Sequence, residues 1–87
     1  MRVENMRSSR GKEVPNQFTI QQKEGLYFQS YASVIAFKPL SGKIQLDRET
    51  WDFSVTTGKY RNQFLRETKK ETEAKIKSGE YILTDLN

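Results

Sequence analysis

Lys59, Arg66, Lys70 and Lys77 follow one another at steps of seven, four and seven residues, spacings that return a side chain to the same face of an α-helix. A row of cations on a rigid rod can track phosphates, each contact releasing a counterion. Lys69 flanks the row, and residues 53–79 hold seven basic residues against only Glu67, Glu71 and Glu73. Arg61 and Lys75 fall on the side claimed by apolar residues, where they either snorkel at its edge or face a partner. A helix packed by one face is polar on the other in any case, so a solvated surface explains the same row.

Thr56-Thr57-Gly58-Lys59 opens this helix. Free N–H groups, hydroxyls and a lysine at a helix start can hold phosphate or another anion, which makes Thr56, Thr57 and Gly58 candidate anion ligands. The Walker A spacing is missing, so this is no nucleotide-hydrolysing loop. N-capping by Thr56 or Thr57, with Gly58 easing the turn, accounts for the same residues.

Five Phe, four Tyr and one Trp are many rings for 87 residues. Tyr27 and Tyr31 lie in a strand pattern that cannot bury every ring. An exposed ring beside cations stacks single-stranded bases at about 1–3 kcal/mol per base, and Tyr31 is the candidate for that role. Core filling is the alternative, favoured for Phe28, Phe37, Trp51, Phe53 and Phe64. Asp47, Glu49 and Asp52 could offer oxygens to a hard cation, but Arg48 intervenes and turn capping explains them without a metal. Gly25-Leu26-Tyr27 matches half of a GIY-YIG nuclease motif, and no second half follows. With no His and no Cys, imidazole and thiolate catalysis, disulfides and Cys-based zinc sites are excluded. No cofactor, metal or enzymatic activity is expected.

These residues need elements to hold them. Gln17–Gln21 alternates as a short strand with Phe18 and Ile20 on one side, and Lys23-Glu24-Gly25 reads as a hairpin turn. Leu26–Phe37 is one long aromatic and β-branched strand whose apolar residues change face along its length. Lys43–Leu46 is a third strand, Asp47–Phe53 a turn anchored by Trp51, and Tyr81–Leu83 a returning fourth. Between them, Thr57–Ser78 reads as one helix with Tyr60, Phe64, Leu65, Thr68, Thr72 and Ile76 in its buried stripe, closed by Gly79. The expected fold is α+β: a small antiparallel sheet of three to four strands with one long amphipathic helix on one face. Residues 1–16 show no apolar period and hold Arg2, Arg7, Arg10 and Lys12 against Glu4 and Glu13, so they are expected as a disordered basic arm before a single domain over residues 17–87. No apolar run approaches the roughly 18 residues of a membrane span, so no membrane partner is expected. A lone sheet with one helix leaves a face open, and self-association is expected there.

The stretch Trp51-Asp52-Phe53-Ser54-Val55-Thr56-Thr57-Gly58-Lys59-Tyr60-Arg61-Asn62-Gln63-Phe64-Leu65, with Phe28-Gln29-Ser30-Tyr31 and Ile35-Ala36 upstream, resembles a group of short uncharacterised proteins of tailed bacteriophages, over roughly residues 26–87. The resemblance implies a small accessory protein in the cytoplasm of an infected bacterial cell, either a nucleic-acid binder or a modulator of host enzymes. It carries over no catalytic or binding residues. Together with the net charge of +4, the expectation is a non-enzymatic protein binding DNA or RNA with little sequence specificity. Lys59, Arg66, Lys69, Lys70 and Lys77 would contact phosphate. The alternative is a protein–protein module or inhibitor that meets an acidic protein surface.

Overall fold

Alternating and aromatic-rich stretches begin at Gln17, yet the whole first half of the chain forms strands and turns in the computed structural model, which describes residues 1–87. The strands are β1 (Arg2–Arg7), β2 (Glu13–Gln22), β3 (Gly25–Ser30), β4 (Ser33–Pro39) and β5 (Gln45–Asp47). Two helices, α1 (Val55–Leu65) and α2 (Lys69–Ser78), then cross back to β6 (Ile82–Thr84). Strand order follows chain order, with β1–β5 an antiparallel meander and β6 parallel to β5 at the edge.

Three expectations are overturned. The sheet has six strands and is mixed, not three or four antiparallel ones. Residues 1–16 are no disordered arm. Arg2–Arg7 pairs with β2, the Ser8–Lys12 turn is closed by Ser8 N–H to Lys12 O (2.8 Å), and Met6 is in the core. The main-chain ladder supplies what the side-chain pattern lacked. Leu26–Phe37 is a hairpin, turned at Tyr31-Ala32, and a register shift at Phe28/Gln29 that leaves Ile35 as an extra residue in β4 makes its apolar residues change face.

The single long helix is also replaced by two. Arg66 sits at φ 58°, ψ 47°, Glu67 N–H bonds back to Asn62 O, and Thr68 starts α2 through a capping box with Glu71. Thr68-x-x-Glu71 is the sequence signature of such a box, but the unbroken helical period across the junction conceals it. Two lysines complete the helix ends: Lys38 Nζ on β4 donates to Phe64 O (2.6 Å), and Lys43 Nζ in the β4–β5 connection donates to Gly79 O (2.8 Å). No helix is long and apolar enough to cross a membrane.

The helices cover one face of the sheet. Phe28, Ala36 and Leu46 lie opposite one another there and meet Tyr60, Phe64, Leu65, Met6 and Tyr81. Phe28 and Phe64 stack with ring centroids 5.6 Å apart. Gly25 at the β2–β3 turn has φ 151°, and a Cβ there would collide with the Lys38 carbonyl oxygen. Alternation sends Val3, Ile20, Tyr27, Phe37, Gln45 and Ile82, one residue from each strand and each opposite the next, to the uncovered face.

Candidate functional site

The start of α1 gathers several of the sequence-predicted residues. Ser54, extended at φ −156°, ψ 167°, is the N-cap, and its Oγ accepts from Thr57 N–H at 3.1 Å. The capping role expected of Thr56 or Thr57 thus falls to Ser54, two or three residues earlier. Thr57 is fully buried, its hydroxyl 2.9 Å from Ser30 Oγ and 3.1 Å from Ser54 Oγ. Those contacts spend the Thr57 side chain on tying the β3–β4 turn to α1. Thr56 is exposed, and Gly58 lines the groove described next.

A shallow groove of about 600 Å³ runs over this helix start, lined by Asp52, Ser54, Gly58, Lys59, Arg61 and Lys69 among others. Its floor is Arg61, whose side chain is 1% exposed. Nη1 donates to Trp51 O (2.6 Å) and lies 3.4 Å from Asp52 Oδ1, and Nη2 donates to Asn62 Oδ1 (3.0 Å). The guanidinium also lies 5.2 Å over the Trp51 ring. Buried arginine clamps the 47–54 segment to α1, a role the sequence did not suggest. Asp52 takes a second cation, Lys69 Nζ at 2.7 Å. That hydrogen bond holds the Asp52 carboxyl below its ordinary range against the opposing effect of burial, with Arg61 adding to it, and Asp52 raises Lys69 in return.

The other predicted phosphate contacts separate into two groups. Lys59 is exposed on α1, its Nζ 5.4 Å over the Tyr60 ring. Arg66 lies in the junction, while Lys70 and Lys77 share one face of α2, about 10.5 Å apart along the axis at 1.5 Å per residue. No continuous rod joins them. The ion pairs in the molecule use Arg2, Arg7, Arg61, Lys69 and Lys75, and leave Lys59, Arg66, Lys70 and Lys77 without a carboxylate.

Lys75 is engaged by Glu67, which turns inward from the junction and is 3% exposed. Glu67 accepts from Lys75 Nζ (2.7 Å), Thr72 Oγ1 (2.6 Å) and Tyr81 Oη (2.9 Å). Burial pushes this carboxyl up, but the hydrogen bonds from Lys75, Thr72 and Tyr81 outweigh it and the net direction is down. Tyr81 is pushed up to about 12, first by burial and then by its bond to Glu67.

The rings are also sorted. Phe28 and Phe64 fill the core, Trp51 packs under Arg61, and Phe37 is buried on the uncovered face beneath Tyr27, with centroids 4.3 Å apart. Phe53, expected inside, is 58% exposed because the turn before α1 carries it outward. Tyr31 is 52% exposed at the β3–β4 turn, and the Ser30–Thr57 bond places that turn beside the start of α1. It has φ 55°, a conformation that costs a side-chain-bearing residue about 1–2 kcal/mol. Tyr31→Gly is therefore expected to raise stability by about 1 kcal/mol in urea unfolding, because nothing buried depends on the ring. A loss of that size would show that the ring packs into the fold.

Asp47 is a turn cap. Its Oδ2 accepts from Thr50 N–H (3.0 Å) and Thr50 Oγ1 (2.9 Å), and its Oδ1 from Leu86 N–H (2.8 Å). Asp52 belongs to Arg61 and Lys69, so Asp47, Glu49 and Asp52 are not brought together as ligands, and no group of three acidic residues is placed to hold a metal.

Searches of curated proteins and of solved structures returned no match. A family model does match, over residues 1–80, and so takes in the β1–β2 hairpin that the phage resemblance left out. The chain therefore belongs to a family of unknown function, DUF8033.

Proposed function

We propose that this chain is a non-enzymatic binding protein that engages nucleic acid through the cations of its helix layer, with low sequence specificity, in the cytoplasm of a phage-infected bacterium. The observation that carries the reading is that Lys59, Arg66, Lys70 and Lys77 are exposed and free of ion pairs. Lys70 and Lys77 are spaced by about three of the 3.4 Å steps of a nucleic-acid strand. Lys69, held by Asp52, adds field rather than a free hand, and Tyr31 offers a ring beside the α1 groove. An acidic protein surface is the competing partner. Recognition of that partner by strand addition at the β1 edge is disfavoured, because that edge carries exposed Arg2, Glu4 and Arg7.

The test is Arg66→Ala combined with Lys70→Ala, titrated with DNA and RNA at low and moderate salt. Two lost phosphate contacts lower the slope of log affinity against log salt by roughly two for duplex DNA, with the far-ultraviolet spectrum unchanged. A native protein that binds neither polymer, or binds with no salt slope, overturns the reading. Recovery of one stoichiometric protein from nuclease-treated lysate would then favour the protein partner.

A further inference from the structure

The middle of the sheet face away from the helices is largely apolar, with charge only at its margins, where Arg7 pairs with Glu13, Asp47 follows Gln45, and the Glu24 carboxylate accepts from the Tyr27 hydroxyl. One row across it is Val3, Ile20, Tyr27, Phe37, Gln45 and Ile82, spanning all six strands, and beside it run Asn5, Phe18, Gln29 and Val34. Neither row holds a Lys, Arg, Asp or Glu, in a chain that is 30% charged. None of these residues belongs to the core cluster, although Phe37 is buried, and Val3 and Ile82 are 52% and 43% exposed. A solvated antiparallel sheet face is ordinarily polar, and a contiguous apolar patch of this extent marks a contact surface.

We infer that this face pairs with the same face of a second copy of the chain, giving two sheets packed back to back with the helices outside. Charge selects this occupant. Nucleic acid or an acidic partner needs cations at the contact, and the unpaired cations Lys59, Arg66, Lys70 and Lys77 belong to the helix layer on the opposite side. A neutral surface can meet itself about a two-fold axis without placing like charges together, and the net charge of +4 on each copy then stays on the outer helix layers. The charged β1 edge disfavours lateral strand pairing there, and the β6 edge is only three residues long.

Area agrees. Six strands at about 4.8 Å spacing cover about 29 Å, and strands of about six residues run about 20 Å, a footprint of about 600 Å². The width matches the 28 Å dimension of the molecule. Two copies then bury about 1,200 Å², which reaches the size of a specific, stable interface. The inference does not rest on the proposed nucleic-acid binding.

Sedimentation equilibrium from micromolar to near-millimolar concentration should give twice the 10.2 kDa mass of one chain. Ile20→Glu with Ile82→Glu should return it to one chain while keeping the native far-ultraviolet spectrum. Because that variant could also unfold, half-filtered NOE spectra of a mixed-label native sample serve as the second measurement. Cross-peaks between subunits should arise from the methyl groups of Val3, Ile20 and Ile82. A native chain that stays at 10.2 kDa overturns the inference, as do inter-subunit peaks confined to the helix layer. Shifts of those methyl signals on adding oligothymidylate to a monomeric chain would assign the face to stacked bases and overturn it equally.

Discussion

Arg61→Ala lowers the unfolding free energy by about 2–3 kcal/mol, the upper range for losing hydrogen bonds made by a charged group. The loss has three parts. Trp51 O loses its hydrogen bond at 2.6 Å, Asp52 keeps only Lys69, and the Trp51 ring loses the guanidinium lying 5.2 Å from its centre. An 87-residue domain has about 4–13 kcal/mol in total at roughly 0.05–0.15 kcal/mol per residue, so at the low end of that range the variant is near the edge of folding. Arg61→Lys should recover less than half, since a point charge cannot serve Trp51 O, Asp52 and Asn62 from one plane. Urea unfolding followed by Trp51 fluorescence and by circular dichroism measures both. A loss under about 1 kcal/mol would mean that Arg61 does not hold the turn to α1.

Glu67→Ala should cost about 2–4 kcal/mol, because Thr72 and Tyr81 lose a shared buried acceptor and Lys75 its ion pair. Glu67 also sets how stability follows pH. Its folded carboxyl titrates below the ordinary value, so its contribution is complete above the unfolded carboxylate range and is lost as pH falls through the folded value. Asp47 and Asp52 act in the same direction. Tyr81 works at the other end: the neutral phenol is favoured, so its contribution is complete below the ordinary 10.0 and is lost as pH rises toward about 12. Lys75, raised by the same carboxylate, follows it. No imidazole or thiol titrates between these limits, so stability should be nearly flat from about pH 5 to 9. Glu67→Gln should make the acid limb shallower and bring the alkaline limb to lower pH. Thermal melts of both chains across pH 2–12 would show it, and superimposable profiles would remove Glu67 from this role.

Some of the architecture was legible in residue order. The β2–β3 turn at Lys23-Glu24-Gly25, strands near Gln45 and Ile82, and the helix stop at Gly79 all rest on local signals, and all occur. Tyr60, Phe64, Leu65 and Thr72 are buried as their spacing required. The junction at Arg66–Thr68 was legible in principle through Thr68 and Glu71, but a stripe continuing on both sides of a break looks the same as one helix. The first strand was not legible. Val3 and Met6 do not alternate in phase, and the main-chain pairing with β2 that makes the segment a strand leaves no mark on residue type.

By itself, the order of residues determined the absence of imidazole and thiol chemistry, the excess of positive charge in the helical half, and which short stretches bend, extend or coil. Each depends on composition or on neighbours a few positions apart. Only the tertiary structure decided that Arg61 lies inside, that Lys69 is held by Asp52 while Lys59, Arg66, Lys70 and Lys77 stay free, and that one face of the sheet is left largely apolar and bare. Those outcomes depend on which segments pack together. The tie between Ser30 and Thr57 joins residues 27 apart, and the Gln63 bond to Arg7 O joins residues 56 apart, distances over which a side chain's partner is set by the packing of whole elements.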